Sequence, residues 1–276
     1  MLTRHRHPNG VVTYQSSRLS RLRVPHAFTT RLGGVSGPAG ADLDLADALQ
    51  TVRGPPGPKH APGAATHWDR VQQAIGCGQH AHFALHQVHG GSVHIVDGPG
   101  ATESKADAVI TGTPKLLLAI RIADCVPVLL AGPVGDAGPR VIGAIHAGWR
   151  GIVASVVTAT LQAIDARFGV AARQIAVAVG PCIGAAAYEV GIEVAEAFDR
   201  VGLRDTVYTA AGARPHVDLR AAVITQLRAL GVHGDQIDTT DRCTHRDREE
   251  FFSHRRGDVG RTAAVVGMPG GECGGV

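Results

Sequence analysis

The chain is patterned as short apolar runs, rich in Val, Ile, Leu and Ala, separated by Gly, Pro and Asp. Runs of this length with many β-branched residues read as strands. They fall at Val24–Thr30, Val93–Val96, Ala108–Thr111, Leu116–Ile122, Val126–Ala131, Val141–Ala147, Ile175–Val179 and Thr262–Val266, with shorter ones at Val207–Tyr208 and Ile237–Thr239. Helical spacing appears at Thr66–Ile75, where Trp68, Val71 and Ile75 share a face and Gly76 is a stop signal. It is clearest at Ile152–Phe168, whose apolar face ends at Gly169. Two more helices are expected at Gly191–Val201 and at Asp218–Leu230, the latter capped by Asp218 and stopped by Gly231.

Many strands with few helices imply an α/β protein of mixed sheets layered with helices. Regular βαβ alternation is absent, so a doubly wound Rossmann arrangement is not expected. Residues 1–20 are polar without a clear period and read as an N-terminal arm or an edge strand. Residues 21–268 form one catalytic domain, and residues 269–276, Cys273 included, form a flexible tail. The Pro/Gly stretch Val52–Ala65 reads as an exposed loop.

Composition narrows the class. At 276 residues the chain can bury a sizeable core, and with aromatics at 4% that core must be aliphatic. The formal charge is only +3 and the basic residues are scattered, so nucleic acid is not an expected partner. No apolar run approaches membrane-spanning length, and Arg4 and Arg6 are not followed by the apolar stretch of a secretory leader. The five cysteines show no paired ligand or redox spacing, which fits a reducing, cytoplasmic setting. A monomer is the default.

The candidate chemistry centres on Ala123–Gly151. If Val126–Ala131 and Val141–Ala147 pair as a hairpin across the Gly132–Pro139 turn, Cys125 at the start of one lies beside His146 at the end of the other. His89, just before Gly90 and Gly91, is the expected third member. One Cys and two His with an open fourth position is the pattern of a catalytic zinc site. The same trio also suits a cysteine nucleophile, Cys125, with His89 or His146 as its base. Asp124, beside Cys125, is a candidate catalytic residue that orients a ligand, or else a strand-end cap. For the substrate, Arg31 and Ser36 in the glycine-rich loop Arg31–Gly40, Arg150 near a helix start, Cys182 in the Gly180–Gly184 turn and His254 in the Cys243–Arg261 segment are candidate contacts. Phe251 and Phe252 interrupt the charges of that last segment, so part of it must turn inward. The pair His80 and His82 reads as a solvated loop, since no clustered copper-ligand motif follows.

The motifs HQVHG, ADCVPVLL, AIHAGWRG, GPCIGAAAYEV and FFSHRRGDVGR, with HAFTTRLGGVSGP near the start, resemble the YfiH-like family. It is also called the laccase-domain or polyphenol-oxidase family of purine nucleoside phosphorylases. The resemblance runs from about His26 to Val266. It implies one domain of layered sheets and helices, similar to proteins once grouped with cysteine hydrolases. It implies a zinc held by His89, Cys125 and His146, and phosphorolysis of adenosine, inosine, guanosine or methylthioadenosine, with adenosine deamination as a related activity. Where the family usually shows Asn between two leucines, this chain has Asp44. The older family names suggest copper-dependent phenol oxidation instead, and cell-wall precursor editing by a cysteine hydrolase is a further alternative. A non-enzymatic binding module would have its fourth metal position filled.

Overall fold

The apolar runs assemble into two six-stranded sheets packed face to face. The computed structural model describes residues 1–36, 42–46, 67–98, 104–135 and 138–270. The Val52–Ala65 loop, Thr66, the end of the glycine-rich loop and the tail residues including Cys273 lie outside the described residues. In the first sheet the strands run in the order Leu2–Arg6, Val12–Ser16, His26–Thr29, Thr262–Gly267, Leu116–Ile122, Ala81–Ala84. In the second the order is Ile237–Asp238, Ala176–Val179, Val126–Ala131, Ile142–Ala147, Ala108–Thr111, Val93–Val96. Most neighbours are antiparallel, and the outer pairs Ala81–Ala84 with Leu116–Ile122, Val93–Val96 with Ala108–Thr111 and Ile237–Asp238 with Ala176–Val179 are parallel.

The central strands are apolar throughout because both of their faces are covered. Leu116, Leu118 and Ile120 point into the core between the sheets with Phe28, Leu129 and Ile142. Leu117 and Ala119 point the other way, against Trp68 and Val71 of the His67–Ala74 helix. On the far side of the second sheet, Val128, Leu130 and Ile145 meet Val157, Leu161, Ala222 and Val223 from the helices Val156–Phe168 and Leu219–Ala229. The result is helix, sheet, sheet, helix, each layer burying one face of the next.

Three expectations need correction. For residues 1–20 the edge strand holds and the arm does not: Leu2–Arg6 is the edge of the first sheet and pairs with Val12–Ser16, which pairs with His26–Thr29. The Asp238 carboxylate, on the edge of the second sheet, accepts from the Met1 amine at 2.9 Å and the Ser16 hydroxyl at 2.8 Å, tying this region across the sandwich. The Ile152–Phe168 helix is two helices, Trp149–Val153 and Val156–Phe168. Ser155 between them is left-handed at φ 60°, and the break carries Ala154 against Gly91, where a Cβ would run into the Ala154 carbonyl. Helical spacing persists through the interruption because both segments bury the same apolar side. Third, His80 and His82 are not a solvated loop. His82 is buried beside Trp68, with ring centroids 5.2 Å apart, and His80 Nε2 donates to the Met268 carbonyl at 3.0 Å.

Candidate functional site

The hairpin forms as expected, with His146 opposite Pro127 and Ala147 opposite Val126. Cys125, one residue before the strand, therefore sits at the same rim as His146. His89 reaches them from the loop after Ala81–Ala84. Gln87 anchors that loop by mimicking a strand: its amide donates to the Arg121 carbonyl at 2.9 Å and accepts from the Arg121 N–H at 2.8 Å. His89 itself is held left-handed at φ 59°. One potential ligand atom from each of His89, Cys125 and His146 lies within 4.8 Å of the others. His89 is exposed, Cys125 half-buried and His146 buried, so the trio closes toward the protein and opens outward. Gly148 leaves room for it: a Cβ there would stand 2.9 Å from Cys125 Sγ and 3.1 Å from His89 Cδ2.

Asp107, which is fully buried, organises the trio. Its Oδ1 accepts from His146 Nδ1 at 2.8 Å and from the His89 N–H at 2.9 Å, and its Oδ2 accepts from the Gly90 N–H at 2.6 Å. Its backbone carbonyl also accepts from the His146 N–H at 2.7 Å. With Nδ1 held by the carboxylate, His146 presents Nε2 to the site.

The electrostatics follow from this packing. Burial opposes ionisation of Cys125, but His146 and His89 beside it prevail and bring the thiol down to about 6. Burial likewise opposes charge on His146, yet Cys125 and Asp107 raise it to about 9. The metal-free centre is thus a thiolate–imidazolium pair near neutral pH. Burial pushes Cys77 up to about 12 and Cys182 up to about 11, so those thiols stay protonated. Iodoacetamide applied to metal-free protein at pH 7 should therefore alkylate Cys125 well before Cys77 or Cys182. The rate should fall as the pH drops through about 6. Peptide mass mapping across a pH series checks both points.

The open side of the trio faces a cavity of about 860 Å³. Arg150, His254 and Asp124 line it. The Asp124 carboxylate is already engaged: it accepts from the Thr244 hydroxyl at 2.6 Å, the Ser253 hydroxyl at 3.0 Å and the Arg255 N–H at 2.7 Å. It fastens the Cys243–Arg261 segment to the hairpin and makes no hydrogen bond to the trio, which corrects the expectation that it orients a ligand. Arg150 stands in a helix of only five residues, Trp149–Val153.

Arg31, Ser36 and Cys182 are not among the residues lining this cavity. Arg31 makes a two-pronged ion pair with Asp42 at 2.8 and 2.6 Å and lies over the Phe252 ring. Ser36 donates to the Asp42 carbonyl at 2.8 Å. Cys182 is buried beside Cys243 and Arg220. Asp44 Oδ1 accepts from the Arg261 and Ala46 N–H groups at 2.9 Å each. The sequence reading missed Asp107, Gln87, Arg121, Tyr188 and Arg261. Arg121 alone carried a signal, as the single charge inside the apolar Leu116–Ile122 run.

Fold and site together define an α/β sandwich protein with a Cys/His₂ cluster at the floor of an arginine-lined cavity. The family profile described as multi-copper polyphenol oxidoreductase laccase matches residues 25–269. A protein of Deinococcus radiodurans named purine nucleoside phosphorylase is 41% identical, over 91% of this chain and 92% of its own. A Mycobacterium tuberculosis protein of the same name is 38% identical, over 90% and 93%. Among solved structures, the Bacillus licheniformis protein YfiH superposes with TM-score 0.80 at 25% identity, covering 96% of this chain and 98% of that one. A Neisseria meningitidis protein superposes at TM-score 0.71 and 29% identity, covering 98% and 99%. The chain belongs to this laccase-type, YfiH-like family.

Proposed function

We propose that this protein is a zinc-dependent purine nucleoside phosphorylase of the cytoplasm. The observation that carries the proposal is the convergence of His89, Cys125 and His146 on a cavity lined by Arg121, Arg150, Arg255 and Arg261. None of these four arginines pairs with a carboxylate among the described residues. Unpaired guanidinium groups in a cavity favour an anionic ligand, and phosphate suits their forked geometry. The names of the relatives agree with phosphate as co-substrate.

The donor set fits zinc, which takes one thiolate and two imidazoles and leaves its fourth position to the cavity. When bound, the metal supplies a Lewis-acid charge that polarises a substrate oxygen. The chain's own residues do the rest. Arg150, lying over Trp149, and Arg255, lying over Tyr188, hold phosphate beside the trio. A phosphate oxygen bonds to ribose C1′ as the C1′–N9 bond breaks and its electron pair stays with the purine. Arginine charge stabilises the anion while C1′ acquires oxocarbenium character. Tyr188 keeps its proton, since burial and the neighbouring Cys125 hold its phenol up at about 12. It can therefore donate a hydrogen bond to the departing base.

One geometric observation favours a second reading. Asp107, His146 and Cys125 form a carboxylate–imidazole–thiolate relay, the arrangement of a cysteine hydrolase. Multi-copper oxidation is less well served, because the candidate metal clusters among the described residues amount to this one trio. Protein purified without added metal, assayed for bound zinc and copper and then with adenosine, separates these readings. About one zinc per chain with phosphate-dependent adenine release is expected. Inosine formed without phosphate would mean deamination. A metal-free protein that forms no purine product would overturn the proposal in favour of the hydrolase.

A further inference from the structure

Phosphorolysis of a purine nucleoside needs a proton as well as an anion. When the C1′–N9 bond breaks, its electron pair moves onto the base, and a purine departs far more readily as the neutral base than as its anion. Few of the described residues that line the cavity can supply that proton. His89, Cys125 and His146 are committed to the metal. Asp124 has both oxygens engaged as acceptors, by Thr244, Ser253 and Arg255. Guanidinium groups do not release protons in proteins. Tyr188 offers a hydrogen bond but keeps its proton, since burial and the neighbouring Cys125 hold its phenol up at about 12. The titratable side chain that remains is His254, and histidine is the residue type that exchanges a proton most readily near neutral pH.

The backbone around His254 is fixed beside the trio. Asp124, the residue before Cys125, is left-handed at φ 90°, a costly conformation for a residue other than glycine. Its Oδ2 accepts from the Ser253 hydroxyl and from the Arg255 N–H, one residue on either side of His254. The turn then closes on itself: the Arg256 N–H donates to Ser253 Oγ at 3.2 Å, and the Gly257 N–H to the His254 carbonyl at 3.0 Å. Arg255 is held further by Nη1 donating to the Glu189 carbonyl at 2.8 Å. The His254 imidazole, by contrast, makes no hydrogen bond or ion pair among the described residues. It is exposed, so solvent can return a proton to it between turnovers. A rigid turn thus presents a ring that no protein group occupies.

We propose that His254 is the general acid of the phosphorolysis, giving its proton to N7 of the purine as the C1′–N9 bond breaks. This rests on the phosphorylase reading. A phosphate oxygen bonds to C1′, the C1′–N9 electron pair enters the purine ring system, and the imidazolium proton passes to N7, so the base departs neutral. The hydrogen phosphate loses its remaining proton as the sugar phosphate forms, and solvent carries a proton back to the imidazole. Bound phosphate offsets the positive charge of Arg150 and Arg255 around the ring. Tyr188 holds the base without giving up its own proton.

The test compares bases that need a proton with bases that do not. His254→Gln keeps a hydrogen-bonding side chain but cannot pass a proton, and His254→Ala replaces it should the first not fold. Zinc content, the circular dichroism spectrum and the calorimetric affinity for adenosine should match the unmodified protein. With adenosine and phosphate, kcat should fall by about 100-fold or more. With 7-methylguanosine, whose N7 is already alkylated and charged, and with 6-chloropurine riboside, whose base leaves readily as an anion, the deficit should largely disappear. The 6-chloropurine riboside comparison decides alone if the unmodified protein does not cleave 7-methylguanosine. No loss on adenosine would overturn the inference. So would a loss of equal size on every base, because His254 would then bind or support and not protonate. An active parent with an unaffected variant removes only the role of His254, whereas a parent that releases no adenine with phosphate removes the phosphorylase reading and this inference with it.

Discussion

Cys125→Ala should strip the protein of both metal and phosphorolysis while leaving it folded. The thiolate is the only anionic donor of the trio, so two imidazoles remain and the affinity for zinc collapses. The fold should survive because Cys125 lies at the rim of the hairpin, half-buried, and not among the side chains of the three apolar cores. Elemental analysis should show zinc dropping from about one per chain to near none. Adenosine phosphorolysis should fall to background, with the circular dichroism spectrum unchanged. Full zinc retention in the variant would refute the ligand set. An unmodified protein that carries no metal, yet loses a hydrolytic activity on this substitution, would instead establish the Asp107–His146–Cys125 relay.

Asp107→Asn is expected to be nearly as damaging, although Asp107 does not line the cavity. Its two carboxylate oxygens accept from the His146 ring and from the N–H groups of His89 and Gly90. Asparagine has one oxygen and places an NH₂ where an acceptor is required, so at least one buried donor loses its partner. That alone costs about 1–3 kcal/mol of stability. The larger consequence is positional: His146 can turn about its side-chain bonds, and the His89 loop loses its tether. Zinc affinity should fall by about 10- to 100-fold, as when comparable partners of metal-bound histidines are removed. Competition against a chromophoric chelator measures the affinity. The visible spectrum of the cobalt-substituted protein should broaden or shift if geometry is lost. A variant that melts early but binds zinc as tightly as the parent would show that Asp107 only supports the fold.

Much of the site was readable from residue order, for reasons visible in the fold. Cys125 and His146 are brought together by a hairpin whose register follows from two apolar runs and one turn, all local features. The Asp218 cap behaved as written, its Oδ1 accepting from the Ala221 N–H at 2.9 Å. Phe251, Phe252 and Ser253 are buried, as their interruption of a charge run implied. Arg31 illustrates the opposite case. It sits in a glycine-rich loop suited to an anion, yet its guanidinium is matched by Asp42, eleven residues on. An ion pair formed by chain reversal leaves no local mark, so the loop composition alone pointed the wrong way.

The sequence by itself determined the layered α/β class, most of the strands, the Asp218 cap, the helix stops at Gly169 and Gly231 and the membership of the His89, Cys125 and His146 cluster. Those features rest on periodicity, turn chemistry and short-range pairing, which are encoded within a few residues of where they act. Only the tertiary structure decided which charges meet which. It placed Asp107 behind His146, engaged Asp124 with Thr244, Ser253 and Arg255, withdrew Cys182 into the core and gathered four arginines from distant segments around one cavity. Such partnerships depend on side chains arriving at one point from remote parts of the chain, and that meeting exists only once the two sheets have closed on each other.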